Sequence, residues 1–209
     1  MTRTYVIPDL HGRRDLLAVA LKAIAARTGG DAATIVTLGD YVDRGPDSRG
    51  VVEMLIGLQR DPPSGWRVIC LKGNHEALLE EALRHPARLL NWIAKGGDVA
   101  LRSYGATSLR DLSVIPDDHR VWFAALELMH IDRHRIYVHA GVDAELPLDR
   151  QPTATLLNKR YPDAFEDGYG GLHVVHGHDR AESGPLLFRG RTNLDTKAWS
   201  TGRLVVGVF

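Results

Sequence analysis

Short apolar runs alternate with helical patterns along the first part of the chain. The runs TYVIP (4–8), TIVTL (34–38) and RVICL (67–71) have the length and the β-branched content of buried strands. Between them, apolar residues recur at helical spacing over 15–26 and 48–58. This alternation of strands and helices predicts an α/β fold with buried parallel strands.

The middle of the chain predicts helices, and the last third predicts strands. A helix is expected over 76–83, and the pattern stays mostly helical from about residue 77 to 130. Four later runs are interpreted as strands, at 135–138, 173–175, 191–195 and 203–209. We therefore expect one domain over residues 1–209, an α/β fold in which two mixed β-sheets face each other. The helical stretch is expected to be an insertion over one edge of the sheets.

Composition and charge narrow the classes of partner. The 26 basic and 26 acidic residues balance to a net charge of zero, so bulk charge predicts neither a nucleic-acid nor a membrane partner. Cys70 is the only cysteine, and no intrachain disulfide can form. The N-terminal segment has no apolar signal core, because Pro8, Asp9 and His11 interrupt it. No stretch approaches the roughly 20 apolar residues of a membrane span. We expect a cytoplasmic protein.

Polar clusters follow five of the predicted strands at their carboxyl ends. They are DLHG (9–12), GDYVDRG (39–45), KGNHE (72–76), HAG (139–141) and HGHD (176–179). Each cluster alone predicts no more than a turn, a helix cap or a surface ion pair. Five clusters at the same topological position indicate a ligand site, because open α/β sheets bind ligands at the carboxyl ends of their strands.

The residue types in these clusters favour metal ions and phosphate. Asp, Asn and His side chains suit Mn, Fe, Zn or Co with some bound water. Six or seven such donors exceed the needs of one ion, whereas two ions roughly 3.5–4 Å apart can share one carboxylate and activate water for in-line attack on phosphorus. Arg44 adds a planar fork of donors for phosphate oxygens.

Taken together, the clusters resemble the signature of the calcineurin-like metallophosphoesterases. The resemblance runs from Tyr5 to Phe209, and DRG (43–45) and NHE (74–76) resemble the protein Ser/Thr phosphatase branch. The chain is similar there to the compact bacterial and phage lambda-type phosphatases, a group that also includes symmetrical diadenosine tetraphosphatases. The resemblance implies an α/β/β/α sandwich.

The resemblance also implies a role for each matching residue. It assigns a first metal to Asp9 and His11, a bridging position to Asp40, and a second metal to Asn74, His139 and His178. The two ions implied are divalent, Mn²⁺ first of all, with Fe, Zn or Co as alternatives.

Four further residues are implied around the reacting phosphate. Asp43 orients His75, which acts as the acid toward the leaving oxygen, and Arg44 grips the phosphate. Relatives carry a second phosphate arginine in a Leu-Trp-x-Arg segment, which here reads LNKR (157–160), so Arg160 is the candidate. An acid and a base depart from the family pattern close to the site, at Asp179 and Lys197. They could pair with each other, which would be a structural role, or they could tune the choice of substrate.

The function implied is a metal-dependent phosphomonoesterase, above all a protein Ser/Thr phosphatase, in which a metal-bridging hydroxide attacks phosphorus directly. The substrate would be a phosphorylated protein or a small phosphate ester or dinucleotide. One alternative is a symmetrical bis(5'-nucleosyl)-tetraphosphatase that uses the same site. Another is a metal-binding scaffold without turnover, which the presence of His75, Asp43 and Arg44 beside the ligands disfavours.

Overall fold

Two β-sheets form the centre of the molecule. The computed structural model describes residues 2–162 and 164–209. The strands of the first sheet are β1 (Arg3–Ile7), β2 (Ala33–Thr37), β3 (Trp66–Cys70) and β9 (Gly207–Val208). Those of the second sheet are β4 (Met129–Ile131), β5 (Arg135–Val138), β6 (His173–His176), β7 (Leu186–Leu187) and β8 (Arg191–Asn193).

Both sheets are mixed, with parallel strands at their centres. The first sheet has the order β3-β2-β1-β9, in which only β9 runs antiparallel. The second has the order β4-β5-β6-β8-β7, in which the outer strands β4 and β7 run antiparallel to their neighbours. The carboxyl ends of the central strands therefore lie together at one edge of each sheet, where loops can converge.

Helices cover the outer faces of the sheets. They are α1 (Arg14–Thr28), α2 (Ser48–Arg60), α3 (Asn74–Arg84), α4 (Leu89–Trp92), α5 (Asp98–Ser103), α6 (Asp117–Ala125), α7 (Thr153–Asn158) and α8 (Ala198–Thr201). A π-helical turn at Ile93–Gly97 joins α4 to α5. None of the helices in the described part of the chain has the length and hydropathy of a membrane span.

Three hydrophobic clusters define the layers. One lies between the sheets and includes Val36 of β2 and Val175 of β6. A second lies between the first sheet and its helices and extends into the helical segment through Trp92 and Phe123. A third, around Ile136, packs the second sheet against α7. The predicted α/β fold with two facing mixed sheets between helical layers is confirmed.

The structure differs from the expectation at the margins of the sheets. The last predicted strand, 203–209, is reduced to the two residues of β9, and the strand at 191–195 ends at Asn193. β7 carries no prediction, and β4 lies at the end of the stretch expected to be helical. These strands have two or three residues each, too few to show a period of two in the sequence. Within the helical stretch, α5 and α6 both contact α2, and α6 also contacts α3.

Candidate metal centre

Asp40 is the central residue of the candidate site. It follows β2, and its carboxylate oxygens lie 3.3 Å from Nε2 of His11, after β1, and 3.5 Å from Nε2 of His139, after β5. Nε2 of His75 is 3.9 Å away. Loops from both sheets therefore meet at one buried carboxylate, as expected for residues that follow parallel strands.

Two groups of candidate ligands share Asp40. In one group, ligand atoms of His11, Asp40 and His75 lie within 4.8 Å of one another, and in the other, those of Asp40, His139 and His178 do. The predicted ligand Asn74 adjoins the second group, because its Oδ1 lies 3.0 Å from Nε2 of His139. The arrangement fits two cations that share one carboxylate.

Asp9 lies outside both groups. Its Oδ1 accepts the backbone N–H of His178 at 3.1 Å. Gly177 allows this approach, because a Cβ there would overlap the same oxygen. The assignment of Asp9 to the first metal stays a prediction, and the structure groups His75 with His11 in its place.

Hydrogen bonds fix two of the candidate histidine ligands. Nδ1 of His11 lies 2.8 Å from the carbonyl of Val42, and Nδ1 of His139 lies 2.9 Å from the carbonyl of Leu38. Only a protonated nitrogen can donate to a carbonyl, so in the neutral ring the lone pair is on Nε2, the atom that lies 3.3 Å (His11) or 3.5 Å (His139) from Asp40. This is the tautomer that a metal-binding histidine needs.

The charges of the site also fit cations. Burial, followed by repulsion from Asp195, raises the pKa of Asp9 well above its usual range, and burial with repulsion from Asp9 does the same for Asp40. Burial lowers the pKa of His139 to about 4, so its imidazole is neutral at pH 7. Crowded carboxylates beside neutral imidazoles are stabilised by divalent cations, which act as charge partners for the acids and ligands for the rings.

Backbone strain is concentrated at the same place. Six non-glycine residues in the described part of the chain have a positive φ. Five of them carry predicted roles in the site: His11, Asp40, Asp43, Arg44 and His178. The sixth, Lys197, lies two residues before Trp199, whose ring is 6.5 Å from that of His11. Each such conformation costs of order 1–3 kcal/mol and is typical of functional sites.

His75 is held by Asp43, and Asp43 is held by the helical segment. Nδ1 of His75 lies 2.5 Å from Oδ2 of Asp43. Both oxygens of Asp43 accept the indole N–H of Trp92 at 3.0 Å, and its backbone N–H donates to Oγ of Ser48. Trp92 comes from α4, 49 residues along the chain, so the helical segment contributes directly to the position of His75.

Arg44 lies across the first ligand group. Its two terminal nitrogens are 2.6 Å from Nε2 of His11 and 2.7 Å from Nε2 of His75, and its guanidinium lies over the ring of Trp199. These Nε2 atoms cannot accept from Arg44 and bind a cation at the same time. A cation at this group would therefore release the guanidinium toward an incoming anion.

Arg160 is turned toward a different partner. Its Nη1 pairs with Oδ1 of Asp179 at 2.9 Å, and its side chain is 60% exposed. The possible pair between Asp179 and Lys197 does not form, because Nζ of Lys197 contacts Glu182 at 2.6 Å. This excludes one of the two alternatives for these residues, and Asp179 instead pairs with the arginine that the resemblance assigns to the phosphate.

Glu76 organises the loop that carries Asp40, a role that the sequence analysis missed. Its buried carboxylate accepts the backbone N–H groups of Asp40, Tyr41 and Val42, and that of Gly73 at the start of α3. Burial raises the pKa of Glu76, and these four donors counteract the shift. The position of Glu76 directly after Asn74 and His75 was a signal that it lies near the site. Which backbone N–H groups its carboxylate accepts depends on the fold.

We expect Glu76→Gln to lower the free energy of unfolding by about 2 to 3 kcal/mol, because the new amide NH₂ would face backbone donors and leave buried N–H groups unsatisfied. Urea denaturation in chelator measures the loss without a contribution from metal binding. Glu81→Gln, on the exposed side of the same helix, is the matched control and should change stability by less than about 0.5 kcal/mol. Equal stabilities of the two variants would contradict this role.

Comparisons with known proteins agree with the geometry. A family model described as calcineurin-like phosphoesterase matches residues 2–196. Serine/threonine-protein phosphatase 2 of Escherichia coli (strain K12) is 34% identical over 94 residues, and serine/threonine-protein phosphatase 1 of Salmonella typhimurium (strain LT2) is 31% identical over 94. Each alignment covers 45% of this chain but only 38% of the relative.

Similarity to solved structures extends over the whole chain. A crystal structure whose protein is assigned as a diadenosine tetraphosphatase superposes with a TM-score of 0.68 at 25% identity. The superposition covers 100% of this chain and 89% of the other. The solved structure is thus named for a dinucleotide substrate, whereas the two relatives are named for phosphorylated proteins.

Proposed function

The chain belongs to the calcineurin-like phosphoesterase family, and from this premise we propose that it hydrolyses phosphate monoesters as a protein Ser/Thr phosphatase. The observation that carries the proposal is Asp40, which is shared by two groups of candidate ligands, one of them in contact with Arg44. A scaffold would need the ligands but would have no use for the arginine or for the pair formed by His75 and Asp43.

We propose that two divalent cations, Mn²⁺ first of all, are held by the residues assigned above. These are Asp9, His11, Asp40, Asn74, His139 and His178. When bound, such ions neutralise the buried carboxylates, polarise phosphate oxygens and lower the pKa of water.

In this proposal Arg44 binds the phosphate and His75 handles the proton. The guanidinium of Arg44 moves away from His75 and donates two hydrogen bonds to non-bridging oxygens of the phosphate. Nε2 of His75, now free, can take up a proton from solvent and pass it to the leaving oxygen, while Nδ1 keeps its hydrogen bond to Asp43. Burial, then the neighbouring His11, lowers the pKa of His75, so the imidazole is neutral before substrate arrives. The negative charge of a bound phosphate favours the protonated form.

A symmetrical bis(5'-nucleosyl)-tetraphosphatase is the second candidate function. It is favoured by a solved structure that matches the whole length of this chain at 25% identity, whereas the sequence alignments with the two Ser/Thr phosphatases of Escherichia coli and Salmonella typhimurium cover 45% of it. A solved Ser/Thr phosphatase also covers the whole chain, but at 17% identity it supports the fold alone. Both reactions would use the same ligands and Arg44. Turnover of a phosphoserine peptide and of diadenosine tetraphosphate, measured side by side, separates them.

We infer further that residues 1–209 act as one cytoplasmic domain. The inference is supported by a candidate site that draws residues from loops of both sheets and from α4. The single cysteine, Cys70, is buried and unpaired, which is compatible with a reducing compartment.

We expect removal of metal to lower p-nitrophenyl phosphate turnover by at least about 10²-fold, because metal ions supply several kcal/mol of charge stabilisation. Adding Mn²⁺ to the chelated protein should restore the rate. Metal content measured by mass spectrometry on each sample provides the control. Full turnover by protein shown to be free of metal would rule out the metal-dependent mechanism.

A further inference from the structure

The ion pair between Arg160 and Asp179 conflicts with the family pattern, which assigns Arg160 to the binding of phosphate. Asp179 accepts from Nη1 of Arg160 and also, at 3.3 Å, from the backbone N–H of Tyr161. Its own backbone carbonyl accepts from the side chain of Asn193. Asp179 is therefore fixed on both sides, and Arg160 must give up its ion pair before it can reach a phosphate.

A second arginine, Arg180, lies at the junction of two clefts beside the candidate metal centre. One cleft, of about 540 Å³, is lined by Arg180 together with Arg44, His75 and His178. The other, of about 480 Å³, is lined by Arg180 with Phe188 and others from the second sheet. Arg180 is exposed, and its side chain forms no hydrogen bond or ion pair within 2–162 and 164–209. Its charge reaches the buried Asp195, where it opposes the rise in pKa that burial causes.

The charge of Arg180 acts on the site. Burial, then the charge of Arg180, lowers the pKa of Arg44, and the acids Asp40 and Asp9 oppose the shift. Two guanidinium groups that face one cleft repel each other, and an anion between them removes the repulsion and accepts from both. A phosphate held by Arg44 is such an anion.

We propose that Arg180, together with Arg44, binds the phosphate that is cleaved, and that Asp179 holds Arg160 away from it. This assignment rests on the proposed phosphatase function and changes one of its residues. Among the described residues, Arg180 has no hydrogen bond or ion pair to release, only an attraction to Asp195, whereas Arg160 must release Asp179. Arg180 can take the place of Arg160, 20 positions earlier in the sequence, because both side chains line the same cleft.

The test compares inhibition by inorganic phosphate in single-arginine variants, with p-nitrophenyl phosphate as substrate and Mn²⁺ present. Arg180→Ala should raise the phosphate inhibition constant by about tenfold or more, the loss expected for a hydrogen-bonded charge pair. Arg44→Ala serves as the reference for a phosphate ligand. Arg160→Ala should have a much smaller effect. Arg189→Ala is the matched control, since that exposed arginine pairs with Asp167 away from the site and should leave the constant unchanged.

Calorimetric titration of phosphate into each Mn²⁺-loaded variant gives the same comparison without turnover, and metal content shows whether a variant has lost its ions. A larger effect of Arg160→Ala than of Arg180→Ala would overturn the proposal, as would an Arg180→Ala variant indistinguishable from Arg189→Ala. An inactive wild-type protein loaded with Mn²⁺ would instead refute the phosphatase function.

The restraint by Asp179 is tested separately. In the Asp179→Asn background Arg160 loses its ion pair, and Arg160→Ala should then raise the inhibition constant more than it does in the wild-type background. If Arg160→Ala raised the inhibition constant equally in both backgrounds, Asp179 would not restrain Arg160, and that half of the proposal would be overturned.

Discussion

Asp40→Asn is expected to lower phosphatase activity by about 10³-fold or more. The substitution should weaken the binding of both proposed ions, which would supply several kcal/mol of transition-state stabilisation. Asp40 belongs to both groups of candidate ligands, and its carboxylate lies within 4 Å of three histidines. Asparagine has nearly the same shape but carries no charge and offers one oxygen in place of two. The substitution therefore tests the charge and the bridge, and it changes the packing little.

The comparison with Asn74→Ala makes this test specific. Asn74 adjoins only the second group, so its loss should reduce occupancy of one ion and cost less activity. Asp149→Asn is the matched control, because Asp149 is exposed in a turn before α7. Activity at saturating Mn²⁺ and bound metal per protein are measured for all three. A smaller loss for Asp40→Asn than for Asn74→Ala would show that Asp40 does not bridge the ions.

The α/β sandwich and the convergence of the polar loops could be predicted because their signals are local. β1, β2 and β3 are continuous apolar runs, and the residue types that follow them are visible in the sequence. β7 has no counterpart among the predicted strands, and β9 is shorter than the predicted strand 203–209, because a strand of two residues depends on pairing with its neighbour.

The contacts of Trp92 and Glu76, and the proposed role of Arg180, depend on distances that the sequence does not contain. The indole of Trp92 binds Asp43 across 49 residues, and the carboxylate of Glu76 binds Asp40 and Tyr41 across 36 and 35. In the sequence, a tryptophan in an apolar pattern indicates only a core position, and an arginine after an aspartate indicates only a charged turn. Their partners are determined by how the helical segment and the two sheets pack.

His75→Asn is expected to lower kcat on a phosphoserine peptide by about 10²- to 10⁴-fold, the usual contribution of a general acid. A seryl oxygen leaves poorly without a proton, whereas p-nitrophenolate leaves readily as an anion. The loss on p-nitrophenyl phosphate should therefore be much smaller. Asp43→Asn should show the same pattern, less severely, because Asp43 contacts Nδ1 of His75 and not the substrate. His134→Asn, on an exposed turn, is the matched control and should change neither rate.

Metal content decides between this role and ligation. The structure brings Nε2 of His75 into the same group as His11 and Asp40, so its nitrogen is close enough to serve as a ligand. The hydrogen bond to Asp43 is compatible with either role, since it orients the ring in both cases. A variant that keeps both ions and loses activity only on the poor leaving group identifies His75 as the acid. Equal losses on both substrates with both ions retained would leave it as a positioning or electrostatic group. Loss of an ion would make it a ligand, because a proton donor to the leaving oxygen has no effect on how tightly the metals are held.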